Sequence, residues 1–318
     1  MILPEKRQPS SMKATSADSP GGGAPIKCEL HCWSDAPHLH QLYTGLADLH
    51  RLGRIRLRQR LLPCPPAKTD RAAHLQMAHA GHAMLLVRGK RLYFDMHDSQ
   101  EVDEHAAGTV DWYFKRSLSR RHDSSTEAGQ KLLPWGLNYR VESNHYDRFA
   151  MVRQLRHGRG LGRFREILRH IAGRRIVSMA QRDFESPPPT GTPSILFLTR
   201  LWDPGDDASR SEGKRRHFEA LNAGRAECIR RLRHAFGLSF HGGLMDTGLA
   251  RELHPELIVP GDITRKDRFL EQTRRHHICV ATTGLHGSIG WKLAEYVAMS
   301  RCIVSERLEN NPGTEFSE

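Results

Sequence analysis

The chain has 318 residues, 38% of them hydrophobic, and a formal net charge of +12. It is long enough for two ordinary domains with their own cores, and its composition excludes a wholly disordered chain. No run approaches the roughly 18 consecutive apolar residues of a membrane-crossing helix, and the start MILPEKRQPSSMK lacks the apolar core of a signal peptide, so a cytoplasmic location is expected.

Residues 1–26, rich in Ser, Pro and Gly and ending in SADSPGGGAP, are expected to form a disordered tail. KCELHCW then reads as a strand and SDAP as a polar loop. In PHLHQLYTGLADLHRLG the residues Leu39, Leu42, Tyr43, Leu46, Leu49 and Leu52 recur at helical spacing, with Gly53 as the stop. IRLRQRL alternates strictly and completes a strand–helix–strand unit of a parallel sheet. HAMLLV and RLYFDMHD follow as strands around the turn RGK, then an acidic helix, the strand VDWYF, and KLLPWGLNY as a strand entering a loop. Arginine-rich helix is expected over about Tyr146–Ala172, and RRIVSMA as a short strand or helix end.

The triple proline in SPPPTGTPS interrupts both helix and sheet, which places a linker at 186–192 between a domain over 27–185 and a second over 193–318. The second domain opens with the buried strand SILFLTRLW. It continues with a charged helix (about Ser211–Phe236), LSFHGGL, a strand at ELIVPG, a helix carrying Lys266–Arg275, the strand HICVAT, the loop TGLHGSIG, the helix WKLAEYVAMS and the strand RCIVSE. Regular alternation of this kind builds a doubly wound sheet, with ligands at the carboxyl ends of its strands.

Of the 48 basic residues only ten are Lys, and they are spread rather than clustered. The basic runs read as solvated helix faces, and no specific nucleic-acid partner is expected. The six cysteines have none of the paired short spacings of a structural zinc site and read as free, mostly buried thiols.

The most informative stretch is HICVATTGLHGSIGWKLAEYVAMSRCIVSE. A strand ends at Thr282, Ser288 is placed as N-cap of the next helix, and Leu293, Tyr296 and Val297 form its apolar face. Free amides at such a helix start favour an anion, and a plain turn accounts for the glycines equally well. GSIGWKLAEYVAMSRCIVSE with NPGTEF resembles the carboxyl-terminal domain of bacterial GT-B glycosyltransferases, of the spore-protein CgeB-like and "glycosyl transferases group 1" kinds. WSDAPHLHQLYTGLADLH, VDWYFKRSLS, PWGLNY and ILFLTRLWDP also look similar to proteins of that group. The resemblance implies an α/β protein with two Rossmann-like domains facing a cleft. It also implies metal-independent transfer of a sugar from a nucleotide-sugar donor, with no further cofactor. The acceptor is unidentified, with a cell-surface glycan precursor as one class. Against that family the second domain stops early and is expected to be incomplete, leaving the cleft unlocked.

Carried over on this resemblance, Glu295 matches the helix glutamate that holds the donor ribose, although a solvent-facing helix Glu explains it as well. Arg200 matches the basic residue set against the diphosphate, although one more surface arginine in an arginine-rich chain explains it as well, and Gly287, Ser288 and Ile289 supply amides to phosphate. Gly287 stands where many retaining members have a second glutamate; Lys292 offers positive charge in its place, although a helix-surface lysine explains it as well. In the first domain the loop Trp33–His38 occupies the position of a general base, so Asp35 or His38 is a candidate, while Asp35 also suits capping of the helix that Pro37 opens. Lys115 and Arg116 end a strand toward the expected cleft, on the acceptor or phosphate side. Asp95 and Asp98 have the spacing of a metal-binding pair, but a strand-end turn explains them more cheaply, and no metal is expected. A catalytically idle nucleotide- or glycan-binding relative is the alternative.

Overall fold

Alternating burial of Cys28, Leu30 and Cys32 gives strand β1 (Ile26–Cys32) one face for the core, and the computed structural model describes this strand within residues 24–63, 81–122, 127–157, 179–203 and 212–313. The tail up to residue 23, Cys64, the arginine-rich stretch past His157, most of RRIVSMA and the end of NPGTEF lie outside the described residues. After β1 a 3-10 turn at Pro37–Leu39 leads into α1 (His40–Arg51), which buries Leu42, Tyr43 and Leu46 against the sheet. Gly53, at φ +70, ends it and turns the chain into β2 (Ile55–Leu61), parallel to β1. Leu49 and Leu52, expected on the apolar face, are exposed.

The first sheet is not wholly parallel. β3 (His82–Val87) and β4 (Lys90–Asp95) are joined by Arg88 and Gly89 alone, both at positive φ, a two-residue hairpin turn that forces antiparallel pairing. Then come α2 (Glu104–Thr109), capped by the Asp103 carboxylate on the Ala106 amide at 2.9 Å, β5 (Trp112–Lys115), α3 (Glu127–Gln130) and β6 (Leu132–Pro134). The six-stranded order is β2-β1-β3-β4-β5-β6, mixed only at β3, which runs against β1 and β4. The helices α4 (Arg148–His157) and α5 (Gln181–Phe184) follow.

The second sheet is built from β7 (Ile195–Thr199), α6 (Glu212–Phe236), β8 (Phe240–Leu244), α7 (Gly248–Leu253), α8 (Lys266–Arg275), β9 (Ile278–Ala281), α9 (Trp291–Ala298) and β10 (Cys302–Ser305). Its four strands are all parallel, in the order β10-β9-β7-β8. β7 is buried at every residue, as a central parallel strand covered on both faces must be. The strand expected at ELIVPG does not form. Between Pro255 and Pro260 the chain makes a 3-10 turn, and only Ile258 bridges to Leu244. The protein is therefore α/β, with two sheets as in two Rossmann-like domains, and among the described residues no helix is long and apolar enough to cross a membrane.

Among the connections that fix the domains against each other, two lie away from the loops after β1 and β4. Val141, Met179 and Phe184, which precede the proline-rich segment, pack with Leu196, Leu198 and Phe269 of the second sheet and its helix, while Thr44 of α1 donates to the Val141 carbonyl at 2.9 Å. Farther on, the chain crosses back after β10: the Arg120 amide donates to Glu309 at 2.9 Å and the Asn311 amide to Leu118 at 2.7 Å. The cleft expected to be unlocked is thus pinned at this edge by backbone hydrogen bonds. Of the described cysteines, Cys28, Cys32 and Cys279 are buried, Cys228 is half-buried and Cys302 is exposed, all as free thiols.

Candidate functional site

In the second sheet the chain leaves β7 for β8 on one side and later places β9 on the other. A crevice therefore opens at the carboxyl ends of β7 and β9, the topological switch point of an open parallel sheet. The loops after β1, β4 and β5 bring His38, Asp98 and Arg116 to the opposite wall. The two edges enclose a cavity of about 470 Å³.

The second-domain wall is rich in cations. Arg200, directly after β7, lines the cavity with its guanidinium stacked 4.4 Å over the Trp202 ring. Behind it Arg225 of α6 is buried, donating to the Arg200 carbonyl at 2.8 Å, the Thr283 carbonyl at 3.1 Å and the Thr282 hydroxyl at 3.3 Å. Burial lowers its pKa to about 10, so it is charged at neutral pH. Lys292, on the first turn of α9, donates to the Leu198 carbonyl and shows its remaining surface to the cavity. Burial, helped by Arg225, Lys266 and Arg200 and opposed by Glu295, pulls its pKa down to about 7. With Arg116 and Lys266, five basic side chains line the cavity against the carboxylates Asp98 and Glu295, a balance of charge that favours an anion.

Glu295 is 1% exposed and lines this cavity. One of its oxygens accepts from Lys266 Nζ at 2.5 Å, and the other, Oε2, has no hydrogen-bond partner among the described residues. A buried carboxylate oxygen left without a donor costs free energy, on the order of 1–3 kcal/mol, and a ligand hydroxyl in the cavity relieves it.

The start of α9 differs in detail from the sequence reading. Gly290, not Ser288, is the N-cap, so the free first-turn amides belong to Trp291 and Lys292. Ser288 is buried and its carbonyl accepts from the Gly284 amide at 2.8 Å. A Cβ on Gly284 would stand 2.7 Å from its hydroxyl, which is why glycine closes that loop. Ser288 lines the cavity; Gly287 and Ile289 do not. The Gly287 carbonyl accepts from Asn310 and the Ile289 side chain joins the core. Val297, expected on the buried face of α9, is exposed, and Leu293, Ala294 and Tyr296 are buried instead.

On the first-domain wall the candidates separate. His38 is at the cavity, where Trp291 Nε1 at 3.2 Å and an Arg116 nitrogen at 3.0 Å both donate to its Nδ1. Trp and Arg are donors only, so Nδ1 is the acceptor and Nε2 carries the proton. Burial and the neighbouring Arg116 charge push the pKa of His38 down to about 4, and the ring is neutral at pH 7. It is placed to donate rather than to take a proton.

Asp35 faces away from the cavity, toward α4. It accepts from Arg153 Nε at 3.2 Å and lies 3.5 Å from His40 Nε2; burial raises its pKa, but these two partners outweigh that and hold it below the usual value. Nor does it cap the helix, because the turn at Pro37 begins at Ala36 with no side-chain cap. Lys115 also misses the cleft. It is fully buried, donating to Asp95 at 2.9 Å, and only its neighbour Arg116 reaches the cavity, where it binds Asp98 and, at 3.2 Å, the Ile289 carbonyl of the second domain.

The charged cavity residues Arg225, Lys266 and Asp98 were not assigned to the cleft from the sequence. Arg225 was hidden in a basic run, although it shares the helical stripe of Phe218, Asn222 and Ile229, where a charge is conspicuous. Lys266 lay in another such run. Asp98 has the spacing of a metal-binding pair with Asp95, but Asp95 points into the first domain and Asp98 into the cleft. No protein-family model matches the chain, nor does any curated protein or solved structure, so its functional reading rests on the chemistry of this cavity.

Proposed function

We propose that this chain is a glycosyltransferase-like protein of the GT-B type that takes a sugar nucleotide into the cavity between its two sheets. The observation that carries the reading is Glu295: a buried carboxylate with one oxygen unpartnered, facing a cation-lined cavity at the carboxyl ends of both sheets. A carboxylate so placed accepts from the paired hydroxyls of a ribose. Arg200, Arg225, Lys292 and the first amides of α9 then face the diphosphate, offsetting the charge that develops as the sugar leaves.

On the acceptor side, Asp98 is the carboxylate that reaches the cavity, held by Arg116. It takes the proton of the acceptor hydroxyl as that oxygen attacks the anomeric carbon, and neutral His38 donates from Nε2 to orient the sugar. The acceptor belongs to the class of hydroxyl-bearing glycan precursors. A second reading, a catalytically idle binder of a nucleotide or glycan, is favoured by the loss of Asp35 to Arg153 and by the filled Nδ1 of His38. Release of nucleoside diphosphate from a panel of sugar nucleotides separates the two. Turnover that Asp98→Asn reduces more than about a hundredfold supports the transferase; binding without turnover supports the idle form, and neither binding nor turnover overturns both.

A further inference from the structure

We propose that His82, Asp95 and His97 form a binding site for one first-row divalent metal ion, zinc foremost, in the first domain. The hairpin places His82 at the start of β3 directly opposite Asp95 at the end of β4, and His97 follows two residues later. His97 Nδ1 is 3.0 Å from Asp95 Oδ1 and 3.0 Å from His82 Nε2, and His82 Nε2 is 3.2 Å from the same carboxylate oxygen. Donor atoms that share one zinc ion at about 2.0–2.1 Å stand roughly 2.9–3.4 Å apart.

Protons do not satisfy this triangle. Each imidazole nitrogen holds either a proton or a lone pair. With one proton, the lone pair of the other ring opposes the carboxylate; with two, a pair of N–H groups meets at 3.0 Å; with none, three lone pairs converge. A divalent cation at the centre attracts all three atoms at once. Two imidazoles and a carboxylate are also the mixed donor set that zinc and its neighbours accept.

The surroundings are those of a supported ligand. The second oxygen of Asp95 accepts from the Tyr113 hydroxyl at 2.6 Å and Lys115 Nζ at 2.9 Å, and its first oxygen also accepts from the His97 amide at 3.0 Å, which fixes the carboxylate plane. The Lys115 charge makes the site weaker than a four-ligand structural zinc. His82 and Asp95 are buried, whereas the His97 side chain is 33% exposed, giving the ion an entry path and leaving room for water as a further ligand. Residue 81 must be small: a Cβ there would stand 2.9 Å from the His97 ring. The resemblance to GT-B enzymes implies a metal-independent transfer, and the site does not depend on the reading of the cleft.

The test is titration of metal-stripped, untagged full-length protein with Co2+, followed by its visible absorption and by displacement with Zn2+. The proposal expects one equivalent bound, an affinity at least about tenfold weaker in His97→Ala, and a weaker one in Gly81→Ala, which removes no ligand. Circular dichroism checks that each variant is folded; if His97→Ala is not, the wild type and Gly81→Ala decide. No stoichiometric Co2+ spectrum in the wild type, or equal affinity in the folded variants, overturns it.

Discussion

The Arg116 guanidinium donates across the domain boundary to the Ile289 carbonyl at 3.2 Å, while its other nitrogen serves His38 and Asp98. One side chain thus ties the first-domain wall to the loop before α9. Arg116→Met leaves the buried Ile289 carbonyl without this donor and the Asp98 carboxylate without its guanidinium, and is expected to cost about 2–4 kcal/mol in urea denaturation. Arg116→Lys, which lacks the planar fork, is expected to recover only part of that loss.

Arg225 anchors three acceptors in the floor of the cavity. Arg225→Met is expected to destabilise the fold by about 2–4 kcal/mol, because charge-assisted bonds to buried oxygens are lost together. It should also weaken anion binding, since Arg200 loses the contact that holds its carbonyl. Chemical denaturation and nucleotide titration of the same variant check both outcomes.

Two glycines should respond in opposite directions. A Cβ on Gly242 would stand 2.3 Å from the Phe197 carbonyl, inside the β7–β8 pair, whereas one on Gly45 of α1 meets nothing within 4 Å. Gly242→Ala is expected to cost about 3 kcal/mol or more. Gly45→Ala should raise stability by about 0.5–1 kcal/mol, the ordinary gain of Ala over Gly in a helix. Thermal melts of the two variants decide this.

Lys292 gives the protein a pH signature. Its folded pKa is lowered to about 7 from the usual 10.5, so between those values the unfolded chain holds a proton that the folded one lacks. Stability is therefore expected to rise with pH across that window, and below about pH 7 the full cost of charging the buried amine is present. A diphosphate beside the amine favours its charged form, so binding at pH 8 should take up a proton. Calorimetry in buffers of different ionisation enthalpy reads that uptake, and Lys292→Met should abolish it.

The strand–helix alternation was legible because each element carries its own period: α1 its helical stripe, β2 its strict alternation and β7 its unbroken apolar run. The antiparallel β3 was foreshadowed by the turn RGK, whose brevity excludes a crossover. Arg200, Lys292 and Glu295, carried over on the family resemblance, do line the cavity, where strand ends and helix starts gather at the switch point. Asp35 and Lys115 were not, since the partners that bury them, Arg153 and Asp95, come from distant segments. His82 and His97 were two among 20 histidines until the hairpin brought them together.

The central claim, that the cavity between the sheets holds a sugar nucleotide, is tested most directly by thermal stability against a panel of nucleoside diphosphates and sugar nucleotides. The wild type should melt higher with at least one of them, by the stabilisation that native-state binding confers. Glu295→Ala and Arg200→Ala should each abolish the rise while remaining folded. No shift with any nucleotide, or a shift that both variants keep, would contradict the account.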